Sequence, residues 1–419
     1  MTGNKKEKYG IEKNTLVTNR ITHLAGYPLE DLLKLYQKDL FEDFLPYMEE
    51  HVYDPQYGGF MCHIGRNGRH VSTDKRTWYD GRGVWVYGTL YQHFGQNPLF
   101  LEKAQKSLDF LMSMKATDYP FWAWGYSRSG IPIANHQADI YGSLFVAEGL
   151  AAMAVATGEV DYWRESVKIL RDGMVQYDRD SYEYVPHYES GNLVEAPRVL
   201  GHWMIFLNLS GHLLEFRETE ELNRISDRCI EAILGKHLHP EFDLLIEYLN
   251  HDGTLPDSPL DQFAYLGHGI EVLWMLMAEA LRRGDDALYQ EASRLFKRHV
   301  EVAWDPVYGG ILHELTHVGE NSWLLEKVLW AQEEGLTGLM LMIATDQDAW
   351  AIRWFGRIYP YVREHFILHD HPARLMCNGG DRKMEIHHQV DRFENYHHPR
   401  HLMLNLRRLQ TIVHDNLNT

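Results

Sequence analysis

The sequence predicts an all-α protein: a helical period recurs from end to end, strand-like runs are few and short, and small Gly, Pro, Asp or Asn clusters separate the helices. Its 419 residues, 45% hydrophobic, supply enough apolar surface for one large buried core or two ordinary ones. The clearest helix is carried by Ile270, Leu273, Trp274, Met277 and Leu281, an i, i+3, i+4 stripe closed by Gly284.

In chain order, residues 1–27 are weakly patterned and are expected to form an N-terminal extension, ordered only in part. Segment 30–48 opens the helical series. The same period marks 82–94, 101–114, 138–156, 161–175, 200–216, 220–235, 288–303, 324–344, 347–365 and 399–412. Strand signals fall at 59–64 and 310–315. They follow matching phrases, Asp54-Pro55-Gln56-Tyr57-Gly58-Gly59 and Asp305-Pro306-Val307-Tyr308-Gly309-Gly310, each just after a helix. A looser echo is Asp178-Arg179-Asp180-Ser181-Tyr182-Glu183-Tyr184, so the chain reads as repeated helical hairpins with short β-excursions in loops on one side. No linker or low-complexity stretch divides it, which points to a single catalytic domain over 28–415. About twelve amphipathic helices suit a barrel of two concentric helical rings, and a solenoid of helix pairs satisfies the same period.

Composition narrows the function. A formal charge of −18 argues against nucleic-acid or anionic-membrane partners, which require a concentrated basic footprint. Cys62, Cys229 and Cys377 lie far apart without CxxC spacing, so neither a disulfide framework nor a zinc knuckle is indicated. No run reaches about 18 consecutive apolar residues, and residues 1–9 are lysine-rich without an apolar core, so a cytoplasmic location is expected. The 12 Trp and 24 Tyr often fall in polar or glycine-rich surroundings, where a ring can stack on a sugar face or simply pack.

Four clusters could carry chemistry. In Gly267-His268-Gly269-Ile270-Glu271 a glycine-flanked histidine starts an apolar helix, and Glu271 at i+3 shares its face. That carboxylate could orient the imidazole as a general base requires, or the pair could be a helix-start cap beside an incidental acid. In Asn395-Tyr396-His397-His398-Pro399-Arg400 the proline suits a first helical turn, which leaves the histidines on the loop before it and Arg400 one turn in. In Lys327-Val328-Leu329-Trp330-Ala331-Gln332-Glu333-Glu334, spacings of three and seven put Lys327, Trp330 and Glu334 on one helical face, fit for a pocket wall. Trp78-Tyr79-Asp80-Gly81-Arg82-Gly83-Val84-Trp85 sets an arginine between glycines at a helix start.

These four clusters, in this order over residues 53–409, resemble the N-acylglucosamine 2-epimerase family, with its renin-binding, cellobiose 2-epimerase and aldose–ketose isomerase members. The resemblance implies an (α/α)6 barrel, a six-hairpin toroid with its site in the central cleft. By motif it implies catalytic roles for His268, His397, Arg82, Glu271 and Glu334, with His398 competing for the place of His397. It further implies a substrate-contacting role for Arg400 and, through Trp124-Gly125-Tyr126-Ser127, for Tyr126; the pocket-wall readings add Trp330, Lys327 and Trp78. Cellobiose epimerases and aldose–ketose isomerases carry another histidine in the middle third. Here the resemblance aligns Met204 with that position, and acylglucosamine-type members also lack the histidine; a two-residue slip would put His202 there instead.

The resemblance implies a two-histidine proton transfer at C2 of an aldose through an enediolate, with the guanidinium of Arg82 holding the enediolate oxygens. Returning the proton to C1 would give aldose–ketose isomerisation. A glycoside hydrolase on a helical barrel is the competing class, and it would recruit two carboxylates from Asp139, Glu271 and Glu334. A non-enzymatic partner-binding role of the renin-binding kind is a third. His369-Asp370-His371 and His387-His388 lack metal-ligand spacing, and no phosphate-loop glycines occur, so neither metal nor other cofactor is expected. The expected partner is a small-molecule sugar, and a homodimer is the assembly common in the family.

Overall fold

In a computed structural model of the chain, described for residues 20–116, 119–133, 140–184, 194–371, 374–388 and 392–417, twelve helices form two concentric rings. They are α1 (Leu29–Lys38), α2 (Thr77–His93), α3 (Pro98–Ser113), α4 (Ile140–Thr157), α5 (Val160–Tyr177), α6 (Leu200–Phe216), α7 (Glu220–Ala232), α8 (Leu266–Arg283), α9 (Asp286–Ala303), α10 (Leu329–Asp346), α11 (Ala349–His365) and α12 (His397–Leu417). Even-numbered helices make the inner ring, each packed on the next, and α12 touches α2 to close it. Closure excludes the solenoid: this is an (α/α)6 barrel. Each odd-numbered helix covers an inner one, with α1 on α12.

The local chemistry explains the boundaries. Asn97, Thr219, Asp285 and Asp348 accept from the backbone N–H groups of Leu99, Leu222, Leu288 and Ala351 and so cap four outer helices. Gly284 ends α8 in the left-handed conformation at φ 68°, which favours glycine. The rod of α1 runs on through π-helical turns at Asp39–Phe44 and Met48–Val52. The inner helices α2, α4, α6 and α10 are surrounded by protein and lose the one-sided stripe, which α8 keeps. α4 is the extreme case, apolar and long enough by composition to cross a membrane, yet largely buried inside the barrel.

Several expectations shift. The segment read as a helix over 324–344 starts at Leu329, because Lys327–Val328 is an extended pair bonded to Gly379–Gly380. α2 begins at Thr77, five residues ahead of the glycine-flanked arginine, so Arg82 lies inside the helix and not at its start. The helix ending at Leu417 begins at His397, which puts both histidines in its first turn and not on the preceding loop. The strand signal at 59–64 is reduced to isolated bridges, Tyr53 to Phe60 and Ile64 to His70, whereas 310–315 runs from a bridge of Trp304 to Ile311 into the hairpin of Glu314–His317 with Ser322–Leu324, the longest ladder among the described residues. Of the 1–27 extension, residues 1–19 lie outside the described residues. His23–Leu24 pairs with Tyr27–Pro28, and Leu24 is buried in the core, so this end docks on the barrel.

The internal echo is a repeated ionic clasp. Buried Asp54 accepts from Lys75 at 3.0 Å, from Arg128 at 2.9 and 3.0 Å, and from the Gln56 N–H at 3.0 Å. Buried Asp305 does the same with Lys327 at 3.1 Å, Arg382 at 2.9 Å through both nitrogens, and the Val307 N–H at 3.0 Å. Both carboxyls are held far below the usual range, since burial, which would raise them, is outweighed by the arginine and lysine contacts. Asp178 in the looser phrase is half exposed and pairs with Arg228, so it is not a clasp. The clasps tie the loops entering α2 and α10 to the rim.

Candidate active site

The first turns of the inner helices meet at one end of the barrel. They surround a cavity of about 120 Å³ lined by Trp78, Arg82, Tyr141, Met204, Tyr265, His268, Glu271, Trp330, Arg392, Glu394 and His397. Every inner helix contributes. Two of the motifs owe their glycines to packing at this junction: a Cβ on Gly267 would stand 2.3 Å from the Trp330 ring, and one on Gly269 would stand 2.6 Å from His299. Around Arg82, a Cβ on Gly81 would meet the Phe145 backbone at 2.5 Å, and one on Gly83 would meet the Phe60 ring at 2.2 Å. Histidine and arginine are thus set at points where helices touch backbone to side chain.

Two histidines face the cavity on either side of Trp330, whose ring lies 5.8 Å from His268 and 5.4 Å from His397. Nδ1 of His268 lies 3.1 Å from both oxygens of Glu247, and Nδ1 of His397 lies 3.0 Å from Oε1 of Glu334. A carboxylate on Nδ1 fixes that nitrogen as the proton carrier and leaves Nε2 for a substrate. Burial alone would lower the His268 pKa, but the charge and hydrogen bond of Glu247 outweigh it and raise it. Sequence spacing had given the orienting role to Glu271. It fails because Glu271, on the same helix, turns to Arg400 in the ring's centre, while Glu247 reaches His268 from the preceding loop.

The floor is a buried ion cluster. Arg400 donates from Nη2 to Glu271 and, at 2.7 Å, to Glu334, and from Nη1 to the Tyr396 hydroxyl at 3.2 Å. Trp274 Nε1 donates to the second oxygen of Glu334 at 2.7 Å. Burial raises the Glu334 pKa, yet Arg400 and His397 overcome it and hold the carboxyl well below its ordinary value. Glu271, Glu334 and His397 each offer a ligand atom within 4.8 Å of the others, but the Arg400 guanidinium already supplies the cation among them.

Arg82 is held differently. Its guanidinium lies over three rings, 4.0 Å from Phe145, 4.6 Å from Tyr396 and 4.9 Å from Trp78, and makes no hydrogen bond or ion pair with other described residues. Tyr396 is anchored in turn by donating to both oxygens of Glu148 at 2.8 and 2.9 Å. A buried cation on an aromatic cradle, with its N–H groups unspent, is prepared for an anionic oxygen. Glu394 sits beside it and accepts from the Tyr396 and His397 N–H groups at 2.9 and 2.8 Å, which caps α12. Burial would raise its pKa, but His397, Arg392 and Arg82 hold it low.

Of the residues singled out in sequence, His268, His397, Arg82, Glu271, Trp330 and Trp78 line the cavity, with Glu334 and Arg400 directly beneath. Lys327 does not: it is an extended residue buried in the Asp305 clasp. Tyr126 does not either; it is buried in the pairing of Gly125–Tyr126 with Lys75–Arg76, and its hydroxyl accepts from the Ala123 N–H at 2.9 Å. His398 points out of the ring to Glu333, toward a side pocket with Asp39 and Phe44, because one residue on a helix turns the side chain by about 100°. The same geometry separates Met204, in the cavity wall, from His202, packed against Tyr177 and hydrogen-bonded to Tyr182 at 2.8 Å. Asp139 lies outside the described residues. His371 and Asp370 engage Arg66, and His387 engages the His365 carbonyl, so these histidine-rich loops gather no chelating set among the described residues.

Glu247, Arg392, Glu394, Tyr141 and Tyr265 were missed. Glu247 lies in an apolar stretch 21 residues before its histidine, so no fixed spacing links them. Glu394 carried one usable signal, a carboxylate three residues ahead of a histidine that starts a helix.

Comparison with known proteins agrees with this fold. The chain is 25% identical over 338 residues to the N-acylglucosamine 2-epimerase of Rattus norvegicus, covering 78% of this chain and 79% of the relative. It is 23% identical over 359 residues to the cellobiose 2-epimerase of Bacteroides fragilis, covering 80% and 88%. Its fold superposes on the solved cellobiose 2-epimerase of Bacillus thermoamylovorans with a TM-score of 0.79 at 15% identity, over 90% of this chain and all of that one. Residues 58–391 match the model of the family described as N-acylglucosamine 2-epimerase (GlcNAc 2-epimerase). The chain belongs to the N-acylglucosamine 2-epimerase family.

Proposed function

We propose that this protein is a sugar isomerase that inverts C2 of an aldose by transferring a proton between two histidines through an enediolate. The observation that carries the reading is the pair of carboxylate-oriented imidazoles, His268 and His397, flanking one cavity beneath an unspent guanidinium. In this mechanism one Nε2 removes the C2 proton and the other delivers a proton to the opposite face. Raising its pKa favours His268 as the proton-bearing member when the cycle begins. Arg82 receives the enediolate oxygens, where its fixed donors act without reorganising. Glu271 has one buried oxygen without a partner among the described residues and accepts a sugar hydroxyl there. Trp330, Trp78, Tyr141 and Tyr265 supply ring faces for the sugar.

Met204 in the wall, where a third histidine would otherwise stand, favours the acylglucosamine-type member of the family over the cellobiose and aldose–ketose types. A glycoside hydrolase is disfavoured by the carboxylates themselves. Such an enzyme keeps one carboxyl protonated, whereas Glu271 and Glu334 share one guanidinium and Glu334 is pushed toward ionisation. Incubation in heavy water with N-acetylmannosamine, mannose, cellobiose and fructose, followed by NMR, tests reaction and substrate together. The expected result is an inverted C2 carrying deuterium. Glycosidic cleavage without carbon-bound exchange would falsify the proposal, and deuterium at C1 of a ketose–aldose pair would redirect it to isomerisation.

A further inference from the structure

The other end of the ring holds a second, larger chamber of about 650 Å³, formed by the later turns of α2, α6, α8 and α12. Its floor is Trp85, Trp274 and Arg400, and the last two also brace Glu334 beneath the first cavity. The two chambers therefore share a partition.

Not every cation of this chamber has a carboxylate in ion-pair contact. Arg282 is committed to Glu279 at 2.7 and 2.8 Å, and Arg400 to Glu271 and Glu334. Arg407 and Arg408 are left. Arg407 makes no side-chain hydrogen bond or ion pair with other described residues, and the Arg408 side chain donates only to the Thr337 carbonyl at 2.9 Å. Glu215, the remaining carboxylate of the wall, stands beyond ion-pair distance of both. Neutralising a helix end does not explain the two arginines, because both lie in the middle of α12. His93, across the wall, is lowered to about 4 by burial and then by the field of Arg407.

We propose that this chamber is a binding site for a small oxyanion, a phosphate or carboxylate group taken up by the guanidiniums of Arg407 and Arg408 in its wall. Each guanidinium offers several fixed N–H donors, which suit either group. Because Arg400 and Trp274 line this chamber and hold Glu334, which contacts His397, occupancy would be felt at the support of His397, and by linkage a sugar in the first cavity would alter anion affinity in the second.

The test is calorimetric titration of the full chain with inorganic phosphate and, separately, with malonate, at fixed ionic strength. Saturable binding of at least one probe is expected, weakened at least tenfold by Arg407→Gln, partly restored by Arg407→Lys, and unchanged by Arg82→Gln in the first cavity. Arg407 is solvent-accessible, so its variants should fold, and an unchanged thermal midpoint checks this. The ratio of phosphate to malonate affinity identifies the source of the group. No saturable binding of either probe, binding indifferent to Arg407→Gln, or binding lost in Arg82→Gln would overturn the proposal.

Discussion

The His268–Glu247 and His397–Glu334 pairs have the same contact and different surroundings. Glu247 gives its charge to His268 and accepts one further hydrogen bond, from the Gly201 N–H at 3.2 Å. Glu334 divides its charge among His397, Arg400 and Trp274. The charge and hydrogen bond of Glu247 act on His268, while Glu334 is held within an ion cluster by Arg400. One contact raises the His268 pKa against burial, and the other fixes His397 at the edge of the Arg400 cluster. The proposed transfer removes a proton on one side and returns one on the other, so one imidazole must start neutral and the other protonated.

Four changes would break or sharpen this contrast. Removing either imidazole, as His268→Ala or His397→Ala, should lower kcat for C2 inversion by roughly 10²–10⁴ each with the fold retained, as loss of a general acid or base does; circular dichroism and a rate assay check both. Replacing Arg400 with Met leaves Glu271 and Glu334 buried without their cation, a cost of about 3–5 kcal/mol, read as a lower thermal midpoint. Glu247→Gln removes the charge that raises His268, so burial then lowers its pKa and the matching limb of the pH–rate profile should move to lower pH. The accompanying fall in kcat should be about tenfold, well short of the histidine deletions. The smallest effect belongs to His398→Ala, outside the cavity, with kcat held within about threefold and a modest stability loss from the unpartnered Glu333.

Much of this was legible in the chain because it is local. Capping residues, the stripe ending at Gly284 and the four clusters mark helices and cavity residues at short spacing, and helical geometry alone separates His397 from His398 once the helix start is known. Ring closure was not legible, since α12 on α2 is a contact between the two ends of the chain that no period encodes. The orienting carboxylate was misassigned for a related reason. Glu271 sits at the right spacing, but a buried arginine 129 residues away takes it. Lys327 shows the converse, a cation at helical spacing on a segment that pairing with Gly379–Gly380 keeps extended.

The division of labour between the two histidines is tested most directly by following C2 proton exchange in heavy water from each epimer separately, using the two single-histidine variants. If each imidazole serves one face, each variant should exchange the C2 proton of one epimer without inverting it, and the two variants should choose opposite epimers. Exchange of the same epimer by both variants, or full inversion by either, would contradict the account.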